Sequence, residues 1–173
     1  EFRFIVRHRV SCLVLQGSAG SDVDCHFIQD CSFVQYFVCG FNTTMQRVVI
    51  LGTGGTIAGT GHDPSRAWVY QAAQLSVAQL VEAIPALQGV ALEAVQVAQV
   101  DSKDVSWSVW RQLGQALAHH LAREEVAGVV ITHGTDTLEE TACMLHALHD
   151  GSKPVVLTAA MRPATAPDAD GPL

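Results

Sequence analysis

Three short polar segments hold the residues of this chain whose types and spacing could support catalysis. They are Gly52–Gly59 (GTGGTIAG), Asp101–Ser106 (DSKDVS) and Thr132–Thr137 (THGTDT). In the first segment, glycines allow backbone N–H groups to approach an anion or a polarised carbonyl group, and threonine hydroxyls face the same space. This segment therefore favours a site for a ligand that carries such a group.

The first two segments also have simpler structural interpretations. Gly52–Gly59 could be a tight turn that leads from a strand into a loop, and Asp101–Ser106 could be a polar loop with a helix cap. The glycine-rich segment fits neither common nucleotide-binding pattern. Ile57 occupies the last glycine position of G-x-G-x-x-G, and no Lys-Ser or Lys-Thr pair follows, as a Walker loop requires.

The third segment is open to a structural interpretation as well. Asp136 with Glu139, or Thr137 with Glu140, has the spacing of an ordinary capping box at the start of a helix. His133 lies at the end of an apolar run, where a histidine often serves as a structural hydrogen-bonding residue. Taken alone, this segment does not separate a catalytic function from a structural one.

The spacing of histidines and cysteines predicts no metal site. The sequence contains no H-E-x-x-H, G-x-S-x-G or C-x-x-C motif. His146 and His149 could share a helix face, but no third ligand follows nearby, so we predict that both are surface residues. The four cysteines before Met45 include no C-x₂₋₄-C pair of the kind that binds zinc.

Composition excludes several classes of protein. The chain has 173 residues, with 10 Lys and Arg against 17 Asp and Glu, for a net charge of −7. This balance argues against the broad basic face of a nucleic-acid-binding protein. The 49% of hydrophobic residues is too high for a disordered chain, and no uninterrupted apolar run is long enough to span a membrane. We therefore expect a mildly acidic globular domain without a nucleic-acid or membrane partner.

The composition changes abruptly at Met45. All six Phe and four of the five Cys precede this residue, whereas all three Trp follow it. The chain begins with Glu-Phe, which a common cloning site encodes, and Met45 is its first methionine. We expect residues 1–44 to be upstream sequence translated in frame, with a poorly defined extension or a functional module as alternatives, and residues 45–173 to form the domain.

Strands and helices alternate after Met45. Strands are predicted at Val48–Leu51, Val95–Val100, Val126–Ile131 and Pro154–Thr158. Helices are predicted to open at the capping box Ser76–Gln79, to run along the apolar repeat from Trp107 to Leu121, and to open at Thr137. This alternation predicts an α/β fold with a parallel sheet flanked by helices on both faces. Ligands of such sheets bind beyond the carboxyl ends of the strands, where all three polar segments fall.

Taken together, the segments resemble a known family. Gly52–Gly59, Asp101–Ser106, Thr132–Thr141 (THGTDTLEET) and Ala159–Pro172 (AAMRPATAPDADGP) occur in the order typical of bacterial L-asparaginases of the asparaginase/glutaminase family. The resemblance runs almost continuously from Met45 to Leu173 and implies the N-terminal part of the large Rossmann- or flavodoxin-like domain. Residues 1–44 resemble nothing in the family.

The resemblance implies an activity and a set of catalytic residues. The family hydrolyses the side-chain amide of L-asparagine to L-aspartate and ammonia, and some members also take L-glutamine; no cofactor is expected. Thr56 matches the nucleophile, which forms an acyl-enzyme, and Tyr70 matches the tyrosine of the mobile loop that contacts it. Thr135 and Asp136 match the second threonine and its acidic neighbour.

The resemblance also implies substrate-binding residues. Ser102 and Asp136 match the residues that hold the α-carboxylate and α-ammonium groups of the substrate. The remaining matches supply backbone contacts around the substrate and its oxyanion, namely Gly55, Gly134 and Ala160. Lys103 departs from the Gln, Glu or Ser of several family members, so we expect it to tune substrate preference without abolishing activity.

The family pattern continues beyond the residues present. The lysine that activates the second threonine and the small C-terminal domain would follow Leu173. We therefore expect a fragment of a longer, tetrameric enzyme that is inactive in isolation, with a non-catalytic amino-acid-binding module or a non-functional product as alternatives. If Met45 is the natural start, the enzyme is expected to be cytoplasmic, and an upstream start would allow the periplasm.

Overall fold

A computed structural model describes residues 46–61, 69–149 and 153–171, together with the backbone of residues 11–17 and 23–28. The strands of this part of the chain are β1 Ser11–Gly17, β2 Val23–Ile28, β3 Arg47–Gly54, β4 Leu92–Val100, β5 Val126–Thr132 and β6 Val155–Ala159. Its α-helices are α1 Val77–Glu82, α2 Trp107–Leu121 and α3 Leu138–Leu148. Short 3₁₀ turns occur at Thr56–Ala58, Pro85–Leu87 and Ser102–Asp104.

The strands form one sheet in the order β2-β1-β6-β5-β3-β4. The four strands β4, β3, β5 and β6 are parallel to one another. This arrangement confirms the predicted α/β fold with its parallel sheet. Within residues 1–44, the described strands β1 and β2 pair antiparallel, and β1 also pairs antiparallel with β6. The expectation that residues 1–44 are upstream sequence remains a prediction.

The central strands are covered on both faces, as their near-continuous apolar sequences predict. Successive side chains of a strand point to opposite faces, so alternate residues enter different layers. One layer packs β-strand residues against Val77 of α1, and the other packs them against Leu113 of α2 and Leu145 of α3. The first layer takes Val48, Ile50, Val130 and Val156. The second takes Val49, Leu51, Val129, Ile131, Val155 and Leu157.

Helix α1 begins at the predicted capping box. Ser76 Oγ accepts from the Gln79 backbone N–H at 3.3 Å, and Gln79 Oε1 accepts from the Ser76 N–H at 2.8 Å. These two bonds satisfy backbone donors that have no partner inside the helix. In the chain, this helix lies between the first polar segment and β4.

No helix among the described residues is long and apolar enough to cross a membrane.

Candidate active site

The three polar segments meet at the carboxyl ends of β3, β4 and β5. The Gly55 N–H donates to the Val100 carbonyl oxygen at 2.9 Å, which joins the first segment to the end of β4. The His133 N–H donates to the Thr158 carbonyl oxygen at 2.9 Å, which joins the third segment to β6. Because β3 lies between β4 and β5, the first segment is held between the other two.

Glycines allow the three segments to touch. Gly55 has φ +78°, and a Cβ at this position would collide with Gly134 Cα and N. A Cβ on Gly134 would lie 2.6 Å from Ser102 Cβ, well inside van der Waals contact. The backbones of Gly55 and Gly134 therefore pack directly on each other, and Gly134 packs on Ser102. Side chains at the two glycines would separate the segments.

The side-chain hydroxyl groups of Thr56 and Tyr70 are hydrogen-bonded to each other in the site. Thr56 Oγ1 and the Tyr70 hydroxyl oxygen lie 2.9 Å apart, and either can donate the hydrogen. Thr56 opens the 3₁₀ turn that follows Gly55. Reciprocal backbone hydrogen bonds of 2.9 Å between Thr60 and Gln71 bring the chain back, so that Tyr70 lies beside Thr56.

The buried Ser102 links the second segment to the third. Its Oγ accepts from the Asp136 N–H at 3.1 Å, and its carbonyl oxygen accepts from Thr137 Oγ1 at 2.8 Å. A serine hydroxyl that accepts from one N–H still has its own hydrogen to donate. Ser102 Oγ can therefore still donate one hydrogen bond.

These bonds decide between the two interpretations of the third segment. Thr137 is the N-cap residue of α3, but its side chain makes no capping hydrogen bond. The Thr137 hydroxyl binds the second segment instead. The capping-box interpretation, with Asp136 or Thr137 as the cap, is therefore wrong. The Thr137 hydroxyl links two loops of the site and does not cap helix α3.

Lys103 lies in an ion-pair cluster with acidic residues of its own segment. Its Nζ is 2.7 Å from Asp101 Oδ2 and 3.0 Å from Asp104 Oδ2. The hydrogen bonds to Asp101 and then to Asp104 raise the pKa of the Lys103 ammonium group to about 12. The side chain is exposed, and its positive charge is opposed by two carboxylates.

The remaining predicted residues line the same region. Thr135 is half-buried, and Asp136 is exposed at the surface of the third segment. Ala160 follows β6, is fully buried and packs in one cluster with Ile57, the residue after Thr56. The Gly55 N–H bonds to Val100, and its carbonyl oxygen accepts from Ala58 and Ala73. The Gly55 N–H is therefore not free to bind a ligand. Gly55 shapes the site because it has no side chain.

Three residues of this region were not identified as site residues from sequence: Trp110, Thr137 and Thr141. Thr141 is fully buried and binds both Trp110 and His133. It occupies the core-facing side of α3, in the helical repeat of Leu138, Ala142 and Leu145. A buried polar side chain in such a repeat requires a hydrogen-bond partner. The position of Thr141 within this apolar repeat was therefore the sequence feature that could have identified it.

His133 is buried in the protein interior. Burial lowers the pKa of its imidazole below the ordinary value of a histidine, which favours the neutral form.

No group of three His, Cys, Asp or Glu side chains with metal-binding geometry occurs in the described part of the chain. His149 is 7% exposed, so the prediction that it is a surface residue is wrong; the end of α3 packs it into the interior.

Comparison with known proteins identifies relatives of residues 47–173, which match the family model described as Asparaginase, N-terminal. A glutaminase-asparaginase of Pseudomonas fluorescens biotype A is 43% identical over 132 residues, which are 76% of this chain and 36% of that protein. A probable periplasmic L-asparaginase of Haemophilus influenzae is 44% identical over 130 residues, which are 75% of this chain and 36% of that protein. The chain thus spans about a third of the length of these relatives.

A solved structure shows the same fold. The crystal structure of a probable cytoplasmic L-asparaginase from Campylobacter jejuni matches with a TM-score of 0.70 and 43% sequence identity. The match covers 73% of this chain and 39% of that chain. The likeness therefore extends from the motifs to the backbone that carries them.

Proposed function

The chain belongs to the asparaginase family, and on this premise we propose that it forms the N-terminal part of an enzyme that hydrolyses the side-chain amide of L-asparagine. The products are L-aspartate and ammonia, and L-glutamine is the second substrate to test. The observation that carries this proposal is the 2.9 Å contact between Thr56 Oγ1 and the Tyr70 hydroxyl, beside the two packed glycines.

The proposed nucleophile is Thr56. A neutral threonine hydroxyl is a weak nucleophile and needs a partner to accept its proton. When Thr56 donates its hydrogen to the Tyr70 oxygen, an Oγ1 lone pair is directed to the amide carbon. Attack forms the bond between Thr56 Oγ1 and the amide carbon and gives a tetrahedral oxyanion, while Tyr70 relays the Thr56 proton to the amide nitrogen. The carbon–nitrogen bond then breaks and ammonia leaves, and water hydrolyses the Thr56 ester to L-aspartate and restores the Thr56 hydroxyl.

Backbone donors are available for the oxyanion. Among the described residues, none accepts a hydrogen bond from the backbone N–H of Thr56 or from that of Thr135. A preorganised donor of this kind contributes roughly 3–4 kcal/mol to transition-state stabilisation. We propose these two N–H groups for the role, with Gly134 and Ala160 shaping the pocket around them.

The two ends of the amino-acid substrate require opposite charges or donors. We propose that the Ser102 hydroxyl donates to the α-carboxylate and that the exposed Asp136 carboxylate pairs with the α-ammonium group. A ligand that lacks either group would leave a site residue unpaired, which is the basis of selectivity. Lys103 adjusts this selectivity only weakly, because Asp101 and Asp104 hold its ammonium group.

The complete enzyme is proposed to be longer than this chain, because the chain matches only 36% of the Pseudomonas fluorescens relative. In this proposal, residues 45–173 form part of the large domain, Thr135 and Asp136 act with a lysine supplied by the remaining sequence, and the enzyme is a homotetramer. We propose a cytoplasmic location, as in the name of the Campylobacter jejuni protein; the Haemophilus influenzae relative is named as periplasmic.

Ammonia release by the full-length enzyme tests this function. Thr56→Ala should lower kcat by about 10³-fold or more, because alanine has no hydroxyl to attack the amide carbon. Thr60→Ala is the matched control, since it removes the hydroxyl of the threonine that directly follows the same segment and should retain activity. Turnover by Thr56→Ala at the wild-type rate would refute the assignment of the nucleophile.

Calorimetry separates catalysis from the alternative, an amino-acid-binding module. When L-asparagine is titrated into the wild-type full-length protein, an enzyme produces a continuing heat signal together with L-aspartate. A binding module produces heat that saturates and leaves L-asparagine intact. The second result would replace the enzymatic proposal.

A further inference from the structure

Three side chains connect helix α2 to the backbone of the third segment. Trp110 Nε1 lies 2.9 Å from Thr141 Oγ1, and Thr141 Oγ1 lies 3.0 Å from His133 Nε2. His133 Nδ1 lies 2.8 Å from the Gly134 carbonyl oxygen. Thr141 and His133 are at most 1% exposed, so solvent does not compete for the bond between them or for the bond from His133 to Gly134.

The two ends of this series of hydrogen bonds fix its direction. The Trp110 indole nitrogen can only donate, and the Gly134 carbonyl oxygen can only accept. His133 Nδ1 must therefore carry a hydrogen and donate it to Gly134. In a neutral imidazole Nε2 then has no hydrogen, so Thr141 donates to Nε2 and accepts from Trp110.

The last hydrogen bond determines the orientation of one peptide group. In a planar trans peptide, the C=O of Gly134 and the N–H of Thr135 point in opposite directions. His133 holds the carbonyl oxygen on the buried side, so the Thr135 N–H points away from it. Among the residues that the structure describes, none accepts a hydrogen bond from this N–H.

We propose that Trp110, Thr141 and His133 are positioning residues that fix the Gly134–Thr135 peptide before the substrate binds. This inference rests on the proposed function, because it concerns a donor of the amidohydrolase site. None of the three side chains contacts the reacting atoms in this proposal. They act through the peptide, whose N–H is already directed when the amide oxygen becomes negative.

The first test measures the His133 tautomer in the wild-type 173-residue chain. Nitrogen-15 NMR should show a protonated Nδ1 and an unprotonated Nε2, with the His133 signals assigned by comparison with His133→Asn. An Nε2–H tautomer or a doubly protonated ring at neutral pH would overturn the inference. This result does not depend on activity.

The second test uses the kinetics of the full-length enzyme. Thr141→Val removes the hydroxyl with little change in volume, so Nε2 loses its donor and the peptide loses its fixed orientation. We expect kcat for L-asparagine to fall by about tenfold with KM changed less than about twofold, because the donor acts in the transition state. Thr141→Ser keeps the hydroxyl and should recover most of kcat.

Controls separate positioning from stability. Cys143→Ser changes an exposed residue of the same helix and should keep the wild-type kcat. If Thr141→Val does not fold, Trp110→Phe is measured in its place. The His133 Nε2 resonance should shift, and kcat should fall by less than the tenfold or so expected for Thr141→Val. Equal kcat for wild type and the folded variant would overturn the inference.

The two proposals fail in different ways. If the wild-type full-length protein does not release ammonia from L-asparagine, the proposed function fails and the NMR result still decides the bonding direction. If it releases ammonia but Thr141→Val matches wild type, only the positioning inference fails.

Discussion

At the scale of single residues, the chemistry of the site depends on which polar groups are already bonded. Ser102 Oγ accepts from Asp136 and keeps its own hydrogen for a ligand. The Gly55 N–H is bonded to Val100 and is not available to a substrate. Thr56 has a hydroxyl partner in Tyr70. These assignments separate the residues that can act on a ligand from those that shape the space around it.

Replacement of Tyr70 by Phe tests the hydroxyl partner of Thr56, the proposed nucleophile. Tyr70→Phe removes the oxygen that lies 2.9 Å from Thr56 Oγ1. We expect kcat of the full-length enzyme to fall by about 10²–10⁴-fold, the usual range for loss of a proton-transfer group. The thermal midpoint should change little, because Tyr70 is exposed.

The matched control for this variant is Val69→Ala, which shortens an exposed side chain next to Tyr70 and should keep full activity. Steady-state ammonia release at saturating L-asparagine measures both variants. A Tyr70→Phe enzyme with wild-type kcat would show that Thr56 transfers its proton elsewhere.

At the scale of elements, the site exists because three loops follow adjacent strands of one sheet. The β5-β3-β4 order places the third, first and second segments side by side. Their contact depends on close backbone packing at Gly55, Gly134 and Ser102. Secondary structure provides the scaffold, and two residues without side chains bring its loops together.

The packing of these loops predicts the effect of a single methyl group. In Gly134→Ala the new Cβ would lie 2.6 Å from Ser102 Cβ, so one loop must move. Overpacking of this kind costs about 1–3 kcal/mol of unfolding free energy. We also expect weaker substrate binding, because Ser102 is displaced. Urea unfolding of the 173-residue chain and KM of the full-length enzyme measure the two effects.

The control for this prediction is Gly89→Ala, where no atom lies within 4 Å of the added Cβ. Gly89 has φ +84°, so this control carries backbone strain without a steric collision. A Gly134→Ala variant with higher KM than Gly89→Ala attributes the effect to the loop contact. Equal KM values would contradict the proposed role of this packing.

At the scale of the whole molecule, the two ends of the sheet carry different groups of polar residues. The carboxyl ends of the strands carry the candidate site, and a charged cluster lies where β3 and β5 begin. In this cluster Glu93 binds Arg123 at 2.9 Å and Arg47 at 3.2 Å. Glu93 also lies 3.8 Å from the buried His120 Nδ1. This cluster ties β4 to β3 and to the end of α2, away from the site.

The charged cluster predicts a loss of stability in acid. The hydrogen bond from Arg123, with that from Arg47, lowers the pKa of Glu93, and burial lowers the pKa of His120. A group with a lowered folded pKa stabilises the fold above its unfolded pKa and loses this contribution as pH falls through the folded pKa. Stability should therefore decrease from neutral pH to below about pH 4, the range in which His and then Glu side chains take up protons.

Glu93→Gln tests this pH dependence, because it removes the charge and retains the shape of the side chain. The variant should be less stable than wild type at pH 7, with a smaller difference at pH 3. Thermal unfolding of the 173-residue chain at both pH values measures this, with Glu82→Gln at the exposed end of α1 as the control. A constant difference between wild type and Glu93→Gln would contradict the prediction.

The sequence alone determined the features that arise from local patterns and from motifs. The capping box at Ser76, the apolar repeat of Trp107–Leu121 and the buried strand Val126–Thr132 each depend on neighbouring residues, so their positions were predictable to within a few residues. Strand Leu92–Val100 begins three residues before its predicted start, because the sheet continues past the clear alternation. The motif order identified the family.

Only the tertiary structure decided how the site is bonded. Ser102 and Asp136 are 34 residues apart, and Trp110 and Thr141 are 31 residues apart, so their hydrogen bonds depend on strand register and helix packing. Packing also placed Lys103 between two carboxylates and His149 in the interior. A sequence pattern specifies which groups are available, whereas the direction and partner of each hydrogen bond follow from distances that only the folded chain sets.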